Sequence, residues 1–386
     1  MNHILKCHDI VKTDFVRAEN CFLYDQQGRQ YVDLESGIWC TAIGHSHPRI
    51  SKVIADQAPR LMHLGTRYPN AIVEETALSV LEMTQISDGK CIFLSSGSEA
   101  VEFGAQAIRR VTGKNLLLTF SNSYLAAYGS SGKKQKDEWF LFDWITLSTE
   151  KDPLDKIPFE EIGGFVFEPG GSGSGFVQFP PHKLVQDIVQ AIRRAGGFVM
   201  VNEITTGMGR TGKWFGFQHY DIQPDIVAIG KGLGNGYPVS AVAMSKVVAD
   251  RLEKSGLRYA QSHQNDPLGC AVAGEVIRIM QEGKWVERGA EMGAYLLRGL
   301  QSLADKYPII KDVRGRGMLL GVELHPHQEL TVEALYYALL DKGFLTGYYP
   351  AGNVLRLDPA LTIEKQLIDQ FLKAIDLILS ESEIEN

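Results

Sequence analysis

The 386-residue chain predicts an α/β fold, a mainly parallel sheet covered by helices, followed by a smaller α+β domain. Three observations predict it. From about residue 72 to 270, short runs rich in Val, Ile, Leu and Phe alternate with segments of helical period, and strands separated by helices pair in parallel. Two of these runs pass straight into glycine-rich polar loops, where the backbone turns sharply and lets a bulky group approach. The segment 182–195 carries Leu184, Ile188 and Ile192 at spacings of four, with Val185 and Val189 beside them and Gly196-Gly197 at its end. One face of that helix packs on the sheet, and the glycines stop it.

In chain order, residues 22–34 read as two short strands around a turn at Gln27-Gly28, a hairpin outside the main sheet. The alternating region then gives strand 91–95, helix 98–111, strands 115–120 and 162–167, helix 182–195, and strands 198–204, 225–230 and 239–244. After Asp266-Pro267 helical patterns run to about 306, strands cover 313–324 and 354–357, and an amphipathic helix spans about 363–379. The acidic end from Glu381 to Glu385 is expected to fray. This divides the chain into an N-terminal segment 1–45 that packs with the small domain, a large domain 46–272 and a small domain 273–386.

With 44% hydrophobic and 22% charged residues the chain is of ordinary globular composition. A formal charge of -7 gives no electrostatic reason to expect nucleic acid or an anionic membrane as partner. The first residues lack the apolar core of a signal peptide, and no stretch approaches the ~20 apolar residues of a membrane span, so a cytoplasmic location is expected. Five cysteines, at 7, 21, 40, 91 and 270, without a Cys-x-x-Cys, suggest mostly buried thiols rather than a disulfide framework or zinc ribbon. His45-Ser46-His47 is better read as turn chemistry than as a metal site, and no metal is expected.

Lys231 closes the apolar run 225–230 and is followed at once by Gly232-Leu233-Gly234-Asn235-Gly236. Desolvated, such a lysine loses its proton cheaply, and the neutral amine attacks an aldehyde; a solvated turn would show the same local pattern. The second loop reads Asn202-Glu203-Ile204-Thr205-Thr206-Gly207-Met208-Gly209-Arg210-Thr211-Gly212. Here the chain resembles the class III aminotransferases of the acetylornithine, ornithine and 4-aminobutyrate type, pyridoxal 5′-phosphate enzymes of fold type I. Their block is Asp-Glu-Val-Gln-Thr-Gly-x-Gly-Arg-Thr-Gly, followed by an aspartate-led strand ending in Gly-Lys. Eight of its ten defined positions are matched, counting Ile204 for Val, and the two departures are Asn202 and Thr205. The resemblance runs from Gly44-His45-Ser46-His47-Pro48 to Arg356 and implies a large domain with a seven-stranded sheet and a homodimer with shared active sites.

Ser96 and Glu99 have capping-box spacing at the start of helix 98–111. The free N–H groups of that helix start suit a phosphate held by Gly97 and Ser98, although a plain cap would look alike. The resemblance assigns Ser96, Gly97 and Ser98 to the cofactor phosphate. It also assigns Tyr124 to stacking on the pyridine ring, Glu168, Ile204 and Thr205 to the cofactor pocket, and Ser262 to the phosphate of the partner subunit. Trp39 is implied as the entrance aromatic and Arg356 as the fork for a substrate carboxylate; read alone, Tyr124 and Trp39 could be core aromatics and Arg356 a surface ion pair.

The activity so implied is ping-pong transfer of an amino group from an amino acid or ω-amino acid to an α-keto acid, with Lys231 as Schiff-base residue and proton carrier. A racemase, epimerase or decarboxylase on the same fold is a rival. So is a weakly catalytic cofactor binder, since Asn202 stands where relatives place an aspartate against the ring nitrogen. Relatives carry a glutamate that can pair with the arginine where this chain has Gly173, in a glycine-serine run expected to line the site. Without that glutamate, Arg356 is expected to stand permanently open to carboxylates.

Overall fold

A computed structural model describes the chain apart from residues 1, 2, 9, 87, 147–152, 172–176, 329, 385 and 386. The N-terminal segment forms β1 (Phe15–Glu19), β2 (Phe22–Asp25) and β3 (Gln30–Asp33). The large sheet is built from β4 (Lys90–Leu94), β5 (Leu116–Phe120), β6 (Trp139–Phe142), β7 (Ile162–Phe167), β8 (Phe198–Asn202), β9 (Ile226–Ile229) and β10 (Ser240–Met244). The C-terminal region adds β11 (Ile310–Arg316), β12 (Leu319–Leu324), β13 (Phe344–Leu345), β14 (Gly347–Tyr349) and β15 (Val354–Leu357).

The seven strands of the large sheet lie in the order β4-β10-β9-β8-β7-β5-β6. β10 is antiparallel to both its neighbours and the other six run one way, so β4 is parallel to β9 across it. Strands β7 to β10 are buried along their whole length, as expected where helices cover both faces. Helix Gly97–Thr112 buries Ala100, Val101, Phe103 and Ile108 against this sheet, and helix His182–Arg194 buries Val185, Ile188, Val189 and Ile192. The strand run 313–324 is divided by a turn at Gly317-Met318 into β11 and β12, which pair antiparallel with each other. β12, β15 and β14 complete that four-stranded sheet.

The N-terminal hairpin is extended by β1 on one side, and on the other β3 pairs in parallel with β13. Asp358 N–H donates to Leu34 carbonyl and Leu361 N–H to Ala42 carbonyl, which fastens segment 34–42 to the chain after β15. The terminal helix continues to Ile384, past the expected fraying point. Elements the pattern did not disclose include helices Pro48–Gln57 and Ala71–Met83 and the short strand β6, at the edge of the sheet. All five cysteines are free; Cys21 and Cys270 are buried, Cys40 and Cys91 partly so, and Cys7 is exposed. Among the described residues no helix is long and apolar enough to cross a membrane.

Candidate active site

Five parallel strands end on one side of the large sheet, and the chain leaving them carries Ser96 (after β4), Tyr124 (β5), Glu168 (β7), Asn202 (β8) and Lys231 (β9). This is the edge at which open α/β sheets bind ligands, because the strand ends and following helix starts present free backbone groups there. Asn202 stands opposite Ala228 in the β8–β9 register, which sets Asn202 and Lys231 on adjoining strand ends.

Lys231 begins a short 3-10 turn with φ +44°, a left-handed conformation uncommon for a residue with a side chain. Its amine is largely buried and makes no hydrogen bond or ion pair among the described residues; its Nζ lies 5.2 Å from the Trp39 ring. Burial lowers the Lys231 pKa and Arg356 lowers it further, against the opposing pull of Cys40, Glu168 and Asp358. A partly desolvated amine of this kind reaches its neutral, nucleophilic form more easily than one in water.

Ser96 caps helix Gly97–Thr112 in a complete capping box: its Oγ accepts from Glu99 N–H (3.3 Å), and Glu99 Oε2 accepts from Ser96 N–H (2.8 Å) and Ser95 N–H (2.9 Å). The Ser96 hydroxyl is thus committed to the cap, and Ser98 Oγ accepts from Ala127 N–H (2.9 Å). The N–H groups of Gly97 and Ser98, in the first turn and without intrahelical acceptors, remain as anion donors. A Cβ on Gly97 would stand 2.7 Å from Ile204 Cγ2, so the helix start approaches the loop after β8 only because residue 97 is glycine.

Tyr124 is 47% exposed, which excludes a core role. Its backbone is clamped: Glu168 Oε2 accepts from its N–H (2.9 Å), and its carbonyl accepts from Asn202 Nδ2 (3.2 Å). Asn202 Oδ1 in turn accepts from Ile204 N–H (3.2 Å). A carbonyl on one side and an N–H on the other fix which way the amide faces. Ile204 lies between Gly97 and Gly230, and Thr205 is buried in the same loop. Glu203 and Arg210, from the same block, are structural: Glu203 accepts from Thr206 Oγ1 and the N–H groups of Gly216 and Phe217, while Arg210 donates to Asp358 carbonyl (2.9 Å) and Ser36 Oγ (2.9 Å).

Arg356 is 4% exposed and is not open. Its Nε donates to Asp358 Oδ1 (2.8 Å), its Nη1 to Tyr349 Oη (2.7 Å) and its Nη2 to the Glu35 carboxylate, while its Cζ lies 4.0 Å from the Trp39 ring. Burial opposes the charge, but Asp358, Tyr349 and Glu35 together hold its pKa above the ordinary value. The expectation of a permanently available arginine is therefore corrected, because Glu35 occupies Nη2; Gly173 lies outside the described residues. Gly347 is opposite Arg356 in the β14–β15 register, where a Cβ would stand 2.6 Å from Arg356 Cζ.

Glu35 and Trp39 flank a turn in which Ser36, Gly37, Ile38 and Trp39 all have positive φ, between +42° and +66°. Left-handed backbone costs L-residues about 1–2 kcal/mol each. Asp33 holds the turn: its Oδ1 accepts from Glu35 N–H (2.7 Å) and Ser36 N–H (2.9 Å), its Oδ2 from Gly37 N–H (3.2 Å), and His45 Nε2 bonds the same oxygen (2.7 Å). Sequence reading missed Asp33, Glu35, Tyr349 and Asp358. The pairing of Asp358 with Arg356 two residues away on an extended segment was the one signal available. Ser262 is exposed, beside Gln261, whose amide donates to Glu99 Oε1 (2.8 Å) and Ser95 Oγ (3.2 Å). Nearby, His63 and His263 bond through Nδ1 to the two oxygens of Asp266 (2.5 and 2.6 Å), a group with metal-ligand spacing.

The chain is similar to known proteins along nearly its whole length. It is 30% identical over 369 residues to the acetylornithine aminotransferase of Methanothermobacter thermautotrophicus, covering 93% of this chain and 92% of that one. It is also 28% identical over 414 residues to the leucine/methionine racemase of Thermococcus litoralis, covering 95% and 90%. The fold matches a Bacillus anthracis aminotransferase with a TM-score of 0.90 at 22% identity, covering 98% and 96% of the two chains. It matches the ornithine aminotransferase of Toxoplasma gondii with a TM-score of 0.88 at 23% identity, covering 100% and 94%. The sequence model of the family described as aminotransferase class-III matches residues 6–130 and 147–379. The chain belongs to that family, the class III pyridoxal-phosphate aminotransferases of fold type I.

Proposed function

We propose that this protein is a transaminase that moves an amino group from an amino acid or ω-amino acid to an α-keto acid by a ping-pong mechanism, as a cytoplasmic homodimer. The observation that carries this reading is the largely buried amine of Lys231, unpaired among the described residues, at the convergence of five parallel strand ends. The residues present fit pyridoxal phosphate: an amine for its aldehyde, the Gly97 and Ser98 N–H groups for its phosphate, and Tyr124 and Asn202 for its ring. Bound there, the cofactor supplies an electrophilic carbon for the substrate amine and a ring that takes up electrons as a substrate bond breaks. Lys231 Nζ would be the amine that engages the cofactor aldehyde between turnovers and would carry the proton removed from the substrate carbon. Arg356 orients a carboxylate, with Trp39 as the wall between the two cations. Ser262, exposed in its own chain, serves the phosphate site of the partner.

The test is a screen of amino donors and keto-acid acceptors, read by the visible spectrum of the purified holoenzyme. Stoichiometric consumption of an α-keto acid supports transamination, and its absence with every donor rejects it. A second reading, racemisation, is favoured by Asn202, whose uncharged amide leaves the ring nitrogen without a carboxylate partner, and by the similarity to the leucine/methionine racemase. Loss of optical activity from an L-amino acid without keto-acid consumption would select it.

A further inference from the structure

Among the described residues Arg356 has three polar partners, and they differ in how easily they can leave. Asp358 on Nε is fully buried, with its backbone tied to Leu34 and Arg210. Tyr349 on Nη1 is an uncharged hydroxyl. Glu35 on Nη2 is the most exposed of the two carboxylates, with 19% of its side chain accessible. A guanidinium grips a carboxylate with two N–H groups, either Nε with Nη2 or Nη1 with Nη2. Both forks use Nη2, the nitrogen Glu35 holds.

We propose that Glu35 is the specificity-determining residue of the Arg356 pocket: a resident carboxylate that a substrate carboxylate must displace from Nη2, taking up one proton as it does so. This rests on the reading of Arg356 as the substrate-carboxylate site. The reason is charge. Glu35 faces Arg356 on β15 and Asp358 just beyond it, Asp33 on its own segment, Tyr349 on β14 and Tyr336 on helix Val332–Asp341. Glu35 and Asp358 already hold two of the nitrogens of Arg356, while the neighbouring buried guanidinium, Arg210, faces Asp358 and Asp33. A substrate carboxylate arriving at Nη2 while Glu35 stays ionised would set two anions against one N–H pair in a buried place, and protonation of Glu35 relieves that repulsion. Burial raises Glu35 to about 7 in spite of Arg356, with Asp358 and Asp33 adding to the rise, so the proton is cheaply held near neutral pH. Asp33 pins the Glu35 backbone, so the side chain swings while the turn stays fixed.

The test is calorimetric titration of the holoenzyme with butyrate, a carboxylate without an amine, from pH 6 to 8.5 in two buffers of different ionisation enthalpy. Wild-type affinity should be level below about pH 7 and fall about tenfold per pH unit above it, with close to one proton taken up per butyrate at pH 8. Glu35→Gln should bind about tenfold more tightly at pH 8, with no slope and no proton uptake. Arg356→Gln should abolish binding. If Arg356→Gln binds butyrate as the wild type does, the carboxylate reading and the proposal fall together. If Arg356→Gln abolishes binding while Glu35→Gln keeps the wild-type affinity, slope and uptake, the proposal alone falls.

Discussion

Lys231 and Arg356 are two buried cations that share Trp39 as a wall, and the protein keeps them in opposite ways. Lys231 has no anionic partner in hydrogen-bonding reach among the described residues, and its pKa is lowered. Arg356 has two carboxylates and a phenol, and its pKa is raised. An uncompensated amine can shed its charge and react; a compensated guanidinium keeps its charge and recognises. One desolvated region thus serves both tasks because only one of its cations is given counter-ions.

The strongest test of this contrast is to remove each cation in turn. Lys231→Ala should lower the half-reaction rate by about 10³-fold or more and abolish the borohydride-trapped adduct at its peptide. An adduct on another lysine in the wild type would end the assignment. The loss should leave the denaturation midpoint of the apoenzyme near wild type, because no buried anion is orphaned. Arg356→Ala should instead destabilise the fold by about 3–5 kcal/mol, since Asp358 and Glu35 lose their cation. Equal stability losses for the two variants in urea titrations would break the comparison.

A smaller effect is expected from giving the Lys231 end an anion. Asn202→Asp, which also takes the Nδ2 donor from the Tyr124 carbonyl, should speed the half-reaction about tenfold or more, equivalent to about 1.4 kcal/mol. A stopped-flow rate no faster than wild type would mean that residue 202 does not limit the chemistry. Trp39→Leu should cost about 0.5–2 kcal/mol of stability from the lost cation–π contacts, with the volume emptied beside Leu319 adding to it, read from the urea midpoint. An effect confined to carboxylate affinity would show that Arg356, at 4.0 Å, uses the ring more than Lys231, at 5.2 Å.

At the Lys231 end the strand ends were legible from local pattern, and the grouping of Ser96, Tyr124, Glu168 and Asn202 with Lys231 came from the family resemblance. Apolar runs ending in Ser-Gly-Ser, Glu-Pro, Asn-Glu and Gly-Lys mark strand ends, and parallel strands bring their ends together. The strands at 162–167, 198–202 and 226–229 were read to within two residues. The Arg356 pocket was legible only as one arginine. Its other members come from residues 33–39 and 349, separated from it in sequence and joined through β3–β13 pairing and the contacts of segment 34–42.

The sequence by itself determined the alternating α/β architecture, the placing of Lys231 and Asn202 at strand ends, and the cap that leaves N–H groups free at residues 97 and 98, because all of these depend on local period and turn chemistry. Tertiary structure decided which charges meet. Glu35 reaches Arg356 across 321 residues of chain through a left-handed turn that local preference disfavours and that Asp33 holds in place. Local pattern carries no record of such a meeting, since a carboxylate before Ser-Gly reads the same whether it faces water or a buried guanidinium, and only the packing of the N-terminal segment on β15 removes the water and makes the pair.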